Sequence, residues 1–201
     1  MTMHTYNEVI LEGSPLGEPE RSHENHGQLF FRQLLEVPRL SGTPDVLPLL
    51  LRQEHLPLLE GGCPLRIRGQ LRSFNNRGGT GRRLVLTVYT QAIEPGEREA
   101  VNRITLTGTL CKPPVYRRTP LGRSICDLIL AVPRSYGRAD YLPVIAWGQA
   151  ASQVSGLAVG DPLSLEGRGQ SRIYRKMTEI GPEERVAYEV SVMRLLETPQ
   201  S

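Results

Sequence analysis

The sequence predicts an all-β protein that contains two tandem copies of one small barrel, and three observations support this fold class. Residues 7–48 and 102–143 align without a gap at an offset of 95 residues, and 13 of those 42 positions are identical. Apolar residues alternate with polar ones over most of the chain, which is typical of half-buried strands. The 201 residues also include 20 glycines and 16 prolines, as expected for short strands joined by many turns.

The repeat divides the chain into two predicted domains, because a unit near 95 residues has the size of a small domain. We expect an N-terminal barrel over residues 1–93, a linker over 94–101 and a C-terminal barrel over 102–201. Beyond residue 48 the register shifts by three, and the equivalent positions are then Gly62 with Gly160, Leu65 with Leu163 and Gly69 with Gly167. The linker is short and polar, which predicts a restricted arrangement of the two barrels.

Each copy contains the same predicted order of elements. In the second copy the strands cover about 103–110, 123–132, 140–147, 163–174 and 185–192, and a helix covers 148–160. In the first copy the strands cover about 8–12, 28–37, 45–51, 65–74 and 83–89, and a shorter helix covers about 52–62. One short helix between the third and fourth of five strands is the order of an OB-fold barrel. An SH3-like barrel or a small sandwich shares the composition but does not place a helix there.

Composition and charge exclude some classes of protein. The net charge of +3 indicates no partner by itself, but 22 of the 24 cations are Arg, which stacks on flat rings better than Lys. A GC-rich coding sequence explains this excess equally well. Cys63, Cys111 and Cys126 form no CxxC motif, so neither a disulfide framework nor a zinc site is predicted. No signal peptide or apolar run of transmembrane length is present, and we expect a cytoplasmic protein.

The predicted fourth strand of each copy has one apolar face and one face of Arg and Gln that ends in an aromatic ring. The polar faces consist of Arg168, Gln170, Arg172 and Tyr174 in the second copy, and Arg66, Arg68, Gln70, Arg72 and Phe74 in the first. Arg side chains can follow phosphates, and an exposed ring can stack on a base of any identity. These faces therefore predict a platform for a single nucleic-acid strand.

The predicted third strand of the second copy adds two rings. Tyr141 and Trp147 share one face, opposite the apolar Leu142, Val144 and Ala146. For Trp147 a place in the core is the alternative, since large aromatic residues usually serve packing. For Tyr174 the alternative is an ordinary surface tyrosine at the end of a strand.

Two basic segments accompany these faces. Residues 61–90 contain no acidic residue and include the cations Arg66, Arg68, Arg72, Arg77, Arg82 and Arg83 around a Gly- and Asn-rich tip. The first hairpin of the second copy contains Lys112, Arg117, Arg118 and Arg123. Unopposed Arg on a flexible backbone suits a groove for a polyanion. The alternative is a pair of ordinary solvated hairpins.

The sequence predicts no enzyme and no cofactor. His23 and His26 form an HxxH pattern, but it lies in a polar turn without further metal ligands, so a metal-dependent hydrolase is only a distant alternative. Asp45 and Asp140 are the repeated carboxylates, and we expect them to cap the turns that follow Gly42 and Gly137.

Residues 140–176 (DYLPVIAWGQAASQVSGLAVGDPLSLEGRGQSRIYRK) and 186–197 resemble the bacterial single-stranded DNA-binding protein family. The resemblance rests on a strand that ends in aromatic-Gly, a helix, Gly-Asp, an apolar strand and Glu-Gly-x-x-x-x-Arg-x-aromatic. It covers 102–197 well and 7–93 more weakly. It implies tandem OB folds and DNA binding without a cofactor.

The resemblance places the family's base-stacking aromatics on Tyr141, Trp147 and Tyr174, with Tyr136 near a further one. In the first copy the three equivalent positions are Val46, Arg52 and Asn76, and Phe74 is a possible substitute on the same face. We therefore expect the first copy to depend more on Arg contacts, or to serve as an assembly surface.

The resulting prediction is sequence-independent binding of single-stranded DNA in replication, recombination or repair, near the nucleoid. The residues expected to stack on bases are Tyr141, Trp147, Tyr174 and Phe74, and those expected to hold phosphates are Arg66, Arg68, Arg72, Arg77, Arg82, Arg83, Arg134, Arg168 and Arg172. The family's usual four OB folds imply a homodimer, and the ending LLETPQS makes recruitment through an acidic tail unexpected. An assembly protein of a primosome or mobile element and a single-stranded RNA-binding protein are the alternatives.

Overall fold

A computed structural model of the chain describes residues 6–40, 42–60, 64–75 and 84–197. The described strands are β1 (Asn7–Asn25), β2 (Gln28–Val37), β3 (Asp45–Arg52), β4 (Leu65–Asn75), β5 (Leu84–Pro95), β6 (Asn102–Leu110), β7 (Val115–Arg118), β8 (Ser124–Pro133), β9 (Ala139–Trp147), β10 (Pro162–Thr178) and β11 (Gly181–Leu196). The two short α-helices are α1 (Leu56–Leu59) and α2 (Gly148–Val154).

The strands form one sheet in the order β2-β3-β5-β4-β1-β6-β10-β11-β9-β8-β7. The additional pairings of β2 with β1 and of β6 with β8 close each half into a barrel. The pairs β3–β5 and β9–β11 are parallel, and every other pair in this order is antiparallel. The first half (β1–β5 with α1) and the second half (β6–β11 with α2) thus both have the OB-fold arrangement, which confirms the predicted fold class.

The sequence repeat recurs as a repeat of strand register. Ser14 lies opposite Glu36 in the β1–β2 pair, and the equivalent Thr109 lies opposite Ala131 in the β6–β8 pair. The shift of three residues is also visible, because β4 has a bulge at Gly69 where β10 has one after Glu166. The alignment therefore identifies residues that occupy the same place in the two barrels.

Shared glycines lie where the strands of each barrel cross. A Cβ atom on Gly13 would overlap the carbonyl oxygen of Glu36, and one on Gly108 would overlap that of Ala131. The first strand of each half can cross its neighbour at this distance only without a side chain. The repeated Gly is thus required by barrel closure.

The elements differ from the prediction in four details. β1 continues to Asn25, whereas the second half divides the equivalent path into β6 and β7. Helix α2 ends at Val154 and not near residue 160, since residues 155–160 turn back toward β10. Helix α1 is a single turn that follows a 3₁₀ turn over Gln53–His55. Strand β5 also extends to Pro95, inside the segment predicted as a linker.

The two halves are joined by their first strands. β1 and β6 pair antiparallel, with Asn7 opposite Leu106 and Leu11 opposite Asn102. The sheet is therefore continuous from one half to the other, and the buried apolar residues of both halves form one connected cluster. Each fully buried Leu, Ile or Val side chain in this cluster contributes about 1.5–3 kcal/mol to folding.

Candidate nucleic-acid interface

Two of the predicted stacking residues lie on the outer face of β9. Tyr141 and Trp147 are 49% and 38% exposed, whereas Leu142, Val144 and Ala146 between them are buried. Trp147 is thus not a core residue, although Ile145, which shares the parity of Tyr141 and Trp147, is buried, so the outer face of β9 is exposed only near its two ends. Exposed aromatic rings on one sheet face can stack on flat ligands.

A basic hairpin made of β7 and β8 borders this face. Arg117, Ile125 and Trp147 form one row across β7, β8 and β9. Nε of Arg117 lies 2.9 Å from Oδ2 of Asp127. The other cations of the hairpin are exposed and have no ion pair with a described residue, and they are Lys112, Arg118 and Arg123. The hairpin therefore adds unopposed positive charge at the Trp147 end of this face.

The third predicted stacking residue lies farther out on β10. Tyr174 is half-buried and lies opposite Arg185 in the β10–β11 pair. The guanidinium carbon of Arg172 is 5.9 Å from the ring centroid of Tyr174, which is within cation–π range. Nε of Arg172 is also 3.7 Å from Oε1 of Glu189. Neighbours on both strands thus hold the Tyr174 ring in position.

Asp45 connects the first half to the second. Its side chain is fully buried and accepts a hydrogen bond from Nε of Arg39 at 2.7 Å. From the second half it accepts bonds from the backbone N–H of Ser171 at 3.0 Å and from Nη1 of Arg168 at 3.4 Å. The hydroxyl oxygen of Ser171 accepts a bond from the backbone N–H of Val46 at 2.9 Å.

Asp140 makes the equivalent contacts in the opposite direction. Its buried carboxylate lies 3.2 Å from Nε of Arg134 in its own half. From the first half it accepts bonds from the backbone N–H of Ser73 at 2.8 Å and from Nη1 of Arg72 at 3.3 Å. The hydroxyl oxygen of Ser73 accepts a bond from the backbone N–H of Tyr141 at 2.8 Å. The two aspartates, their serines and the arginines of their own halves are related by the repeat, whereas Arg72 and Arg168 reach the aspartates from positions that are not equivalent.

These contacts change the interpretation of five residues. Asp45 and Asp140 do not serve mainly as turn caps, because their partners among the described residues are arginines and the backbone of the opposite half. The sequence predicts phosphate contacts for Arg72, Arg134 and Arg168, whereas the structure pairs each of them with a buried carboxylate. A buried carboxylate is stable only with such partners. Arg72 and Arg168 therefore hold the two halves together, whereas Arg134 pairs with Asp140 within the second half.

Two further arginines of β4 are also paired. Nη2 of Arg66 lies 3.0 Å from Oε2 of the buried Glu12, and Nε of Arg68 lies 3.9 Å from Oε2 of Glu94. Burial raises the pKa of Glu12, but hydrogen bonds from the backbone N–H of Glu99 and from Arg66 outweigh burial and hold that pKa below its ordinary value. The acid-free sequence around these arginines thus acquires acidic neighbours in space. Arg77, Arg82 and Arg83 lie outside the described residues.

In the first half, the positions equivalent to the three stacking residues carry no ring. Val46 is half-buried, and Nη2 of Arg52 lies 3.1 Å from Oε1 of Glu54. Asn76 lies outside the described residues. Phe74, the predicted substitute, is 40% exposed on β4. The described part of the first half therefore presents a different outer face from the second.

Sequence reasoning missed three aromatic residues that lie near Phe74. His23, Phe30 and Tyr89 line the same groove of the first half as Phe74. A comparison of equivalent positions cannot find them, because they occupy other strands than the rings of the second half. The sequence signal that could have found two of them is the alternation along β2 and β5, which assigns Phe30 and Tyr89 each to one face of its strand.

The described residues contain no group of three or more His, Cys, Asp or Glu side chains that could hold a metal ion. His23 instead stacks on Phe30, and His26 lies in the turn between β1 and β2 with a φ of 49°. Within the same described ranges, no helix is both long and apolar enough to span a membrane.

The fold and this surface define a class: a tandem OB-fold protein with exposed rings and cations on the outer face of one barrel. Sequence comparisons agree with that class. The single-strand binding protein family matches residues 101–196. Single-stranded DNA-binding protein 1 of Staphylococcus aureus is 36% identical over 81 residues, which cover 37% of this chain and 48% of that protein. The single-stranded DNA-binding protein of Thermus aquaticus is 39% identical over 80 residues, which cover 37% of this chain and 30% of that protein.

Solved structures extend the similarity to both halves. The wild-type single-stranded DNA-binding protein from Thermus aquaticus aligns with a TM-score of 0.70 and 26% identity, over 98% of this chain and 94% of that chain. A deletion variant of the same protein aligns with a TM-score of 0.72 and 26% identity, over 100% and 97%. The second half of the chain, residues 101–196, therefore belongs to the single-strand binding protein family, and the solved structures extend the similarity of fold to both halves. The sequence matches span only 48% of the length of the Staphylococcus aureus protein and 30% of the length of the Thermus aquaticus protein.

Proposed function

We propose that this protein binds single-stranded DNA with little sequence preference. The observation that carries the proposal is the pair of exposed rings, Tyr141 and Trp147, on one face of β9 in the region that matches the family. Bases of any identity have a flat face, so stacking on these rings would not depend on sequence. Each stacked base would contribute roughly 1–3 kcal/mol.

Tyr174 extends this surface along β10. Arg172 lies against its ring, so the phosphate next to a base stacked on Tyr174 would lie close to the Arg172 guanidinium. Arg172 is 3.7 Å from Glu189, a long contact that a phosphate can replace. We assign base stacking to Tyr174 and phosphate binding to Arg172.

The other phosphate contacts of the proposal come from exposed arginines and lysines. The basic segment 112–123, which includes β7, supplies Lys112, Arg118 and Arg123 at the Trp147 end of the outer face. In the first half, Arg68, Arg77, Arg82 and Arg83 are the residues proposed to contact phosphates. Arg66, Arg72, Arg134 and Arg168 have buried carboxylate partners, and we give them the secondary role of raising the local positive potential.

We further propose that the chain works in DNA replication, recombination or repair, as two domains joined near residues 94–101. Two OB folds in each chain favour a homodimer with four folds. Light scattering of the purified protein would give a mass of twice 22.4 kDa if the homodimer forms. A mass of one chain at all concentrations would contradict the homodimer and leave the DNA-binding proposal intact.

Binding can be tested by fluorescence anisotropy with a labelled oligo-dT, and with oligo-rU and duplex DNA as competitors. We expect tight binding of oligo-dT, weak competition by duplex DNA, and a loss of affinity between about 50 and about 200 mM salt that reports the number of phosphates contacted. If oligo-rU competes as strongly as unlabelled oligo-dT, the site binds single-stranded RNA and single-stranded DNA equally well. No binding of any of the three would reject the proposal and favour a protein-assembly role.

A further inference from the structure

The first half contains a groove that is lined by residues of β1 to β5. Its volume is about 700 Å³, and it extends from the β1–β2 hairpin across β4 and β5 to the boundary between the halves, where Arg134 and Tyr188 of the second half contribute. This volume lies within the range of roughly 300–1,000 Å³ that is usual for small-molecule sites.

Three aromatic rings form a continuous series along this groove. The ring centroid of Phe30 lies 4.8 Å from that of His23 and 6.4 Å from that of Tyr89. Phe30 is buried, whereas His23 is exposed and lies parallel to it, with an interplanar angle of 7°. The imidazole thus rests on a fixed ring and leaves its other face accessible. Such a ring pair is a platform on which a further flat ring can stack.

The charge of the groove favours an anionic ligand. None of the described residues that line it is acidic, and three are arginines. Arg32 is exposed, has no ion pair with a described residue, and its guanidinium carbon lies 6.0 Å from the ring centroid of Phe74. Arg72 and Arg134 share one buried carboxylate, that of Asp140, so this end of the groove keeps a surplus positive charge. A flat, anionic ligand matches both the rings and the cations.

The repeat explains why this site is hidden in the sequence. Phe30 lies opposite Arg52 in the β2–β3 pair, as Ile125 lies opposite Trp147 in the β8–β9 pair. The ring has therefore moved by one strand, from the end of the third strand in the second half to the second strand in the first half. Tyr89 lies on β5, where the equivalent position carries a non-aromatic residue.

We propose that this groove is a second nucleotide site, in which the accessible face of His23, supported by Phe30 and Tyr89, receives an unstacked base and Arg32 holds its phosphate. The inference rests on the proposed function, since it assigns the first half its own contacts with the same strand of DNA. A strand that leaves the groove past Arg72 and Arg134 reaches the boundary at Ser73, which is hydrogen-bonded to the backbone of Tyr141. One strand can thus continue from the new site toward the rings of β9.

The test compares the full chain with the variants His23→Ala and His23→Ala/Tyr89→Leu. The single variant changes only an exposed ring, so it folds even if the double variant does not. Poly-dT is titrated while the fluorescence of the single Trp147 is recorded, and a brominated oligo-dU is cross-linked by ultraviolet light and mapped by mass spectrometry. We expect both variants to occupy fewer nucleotides per chain, and the double variant to bind a long oligo-dT about tenfold more weakly.

Leu58→Ala provides the matched control, because Leu58 is 46% exposed in the same half and does not line the groove. It should leave the number of occupied nucleotides unchanged. Cross-links to peptides of the β1–β2 hairpin and of β5 support the proposal. Equal occupancy in the variants and the wild type, with cross-links confined to the second half, would overturn it while the DNA-binding proposal stands. Failure of Trp147 to respond to any DNA, with no cross-links, would instead reject the proposed function.

Discussion

Asp45 and Asp140 occupy equivalent positions in the two halves, and their contacts are similar. Arg52 and Trp147 also occupy equivalent positions, but their contacts are different. The two carboxylates are buried, and each accepts hydrogen bonds from an arginine and a serine of the opposite half. At the other pair, Trp147 presents a ring to solvent and Arg52 makes an ion pair with Glu54. The halves are thus alike at their boundary and different on their outer faces.

This contrast separates residues that hold the fold from residues that touch a ligand. A boundary between two copies of one fold must satisfy the same buried polar groups on each side, so the repeat preserves Arg, Asp and Ser there. The outer faces have no such requirement, and their rings have shifted between strands. Symmetry within the chain therefore indicates scaffold, and asymmetry indicates function.

The largest effect is expected from the boundary. Asp140→Ala and Asp45→Ala should each reduce the free energy of unfolding by about 3 kcal/mol, because each leaves two arginines and a serine N–H without their buried partner. Urea denaturation of both variants measures this loss. Since the contacts of the two aspartates are similar, the two losses should agree within about 1 kcal/mol. A large loss for one aspartate alone would contradict the equivalence of the two contacts.

The second effect concerns the outer face of the second half. Trp147→Ala and Tyr174→Ala should each weaken oligo-dT binding by roughly 1–3 kcal/mol, with little change in stability, because both rings stack on bases. Anisotropy with a labelled oligonucleotide measures the affinity, and a thermal melt measures the fold. Arg52→Ala, at the position equivalent to Trp147, is the matched control and should have a much smaller effect on affinity. Unfolding of the Trp147 variant would show that the ring supports the core.

A smaller effect is expected where the halves pack together. Gly169 lies against the first half, and a Cβ atom there would lie 2.7 Å from Cδ1 of Leu47. Gly169→Ala should therefore lower stability by about 1–2 kcal/mol through overpacking. The double variant Gly169→Ala/Leu47→Val should recover part of this loss in the same denaturation assay. An additive loss in the double variant would place the strain elsewhere.

The smallest effect separates a charged pair from a neutral one at equivalent positions. Glu12 pairs with Arg66 in the first half, whereas Thr107 and Ser164 share a hydrogen bond of 2.8 Å at the same place in the second. Because the folded-state pKa of Glu12 lies below its ordinary value, its contribution to stability is complete above about pH 4.3 and is lost as the pH falls through the folded-state pKa.

Unfolding free energies measured over a range of pH test this difference. Glu12→Gln should lower stability at neutral pH and make the remaining stability less sensitive to acid. Thr107→Val should lower stability by a similar amount at every pH, since no charge is involved. A Glu12→Gln variant with the acid sensitivity of the wild type would show that the carboxylate contributes nothing through its charge.

The sequence was sufficient to predict the fold because the repeat and the alternation are local signals. The ungapped alignment predicts equivalent registers, and the structure has them at Ser14 and Thr109. The alternation along β9 also predicts the exposed positions of Tyr141 and Trp147. Both signals depend only on neighbours along the chain or on a direct comparison of the two copies.

Contacts between the halves could not be predicted in the same way. Ser171 meets Asp45 across 126 residues, and no pattern in either copy points to the other. The arginines that reach the two aspartates also come from different positions, since Arg72 lies next to Ser73 whereas Arg168 lies three residues before Ser171. The comparison of the two copies also failed to identify the cluster around Phe30, because the position equivalent to Phe30 in the second half carries no ring.

The most direct test of the account is the fluorescence of Trp147, the chain's single tryptophan, during a titration with oligo-dT. Stacking of a base on the indole should quench this fluorescence, and rising salt should reverse the quenching as phosphate contacts are lost. Oligo-dT that binds, as judged by anisotropy, without altering the Trp147 signal would contradict the assignment of base stacking to the outer face of the second half.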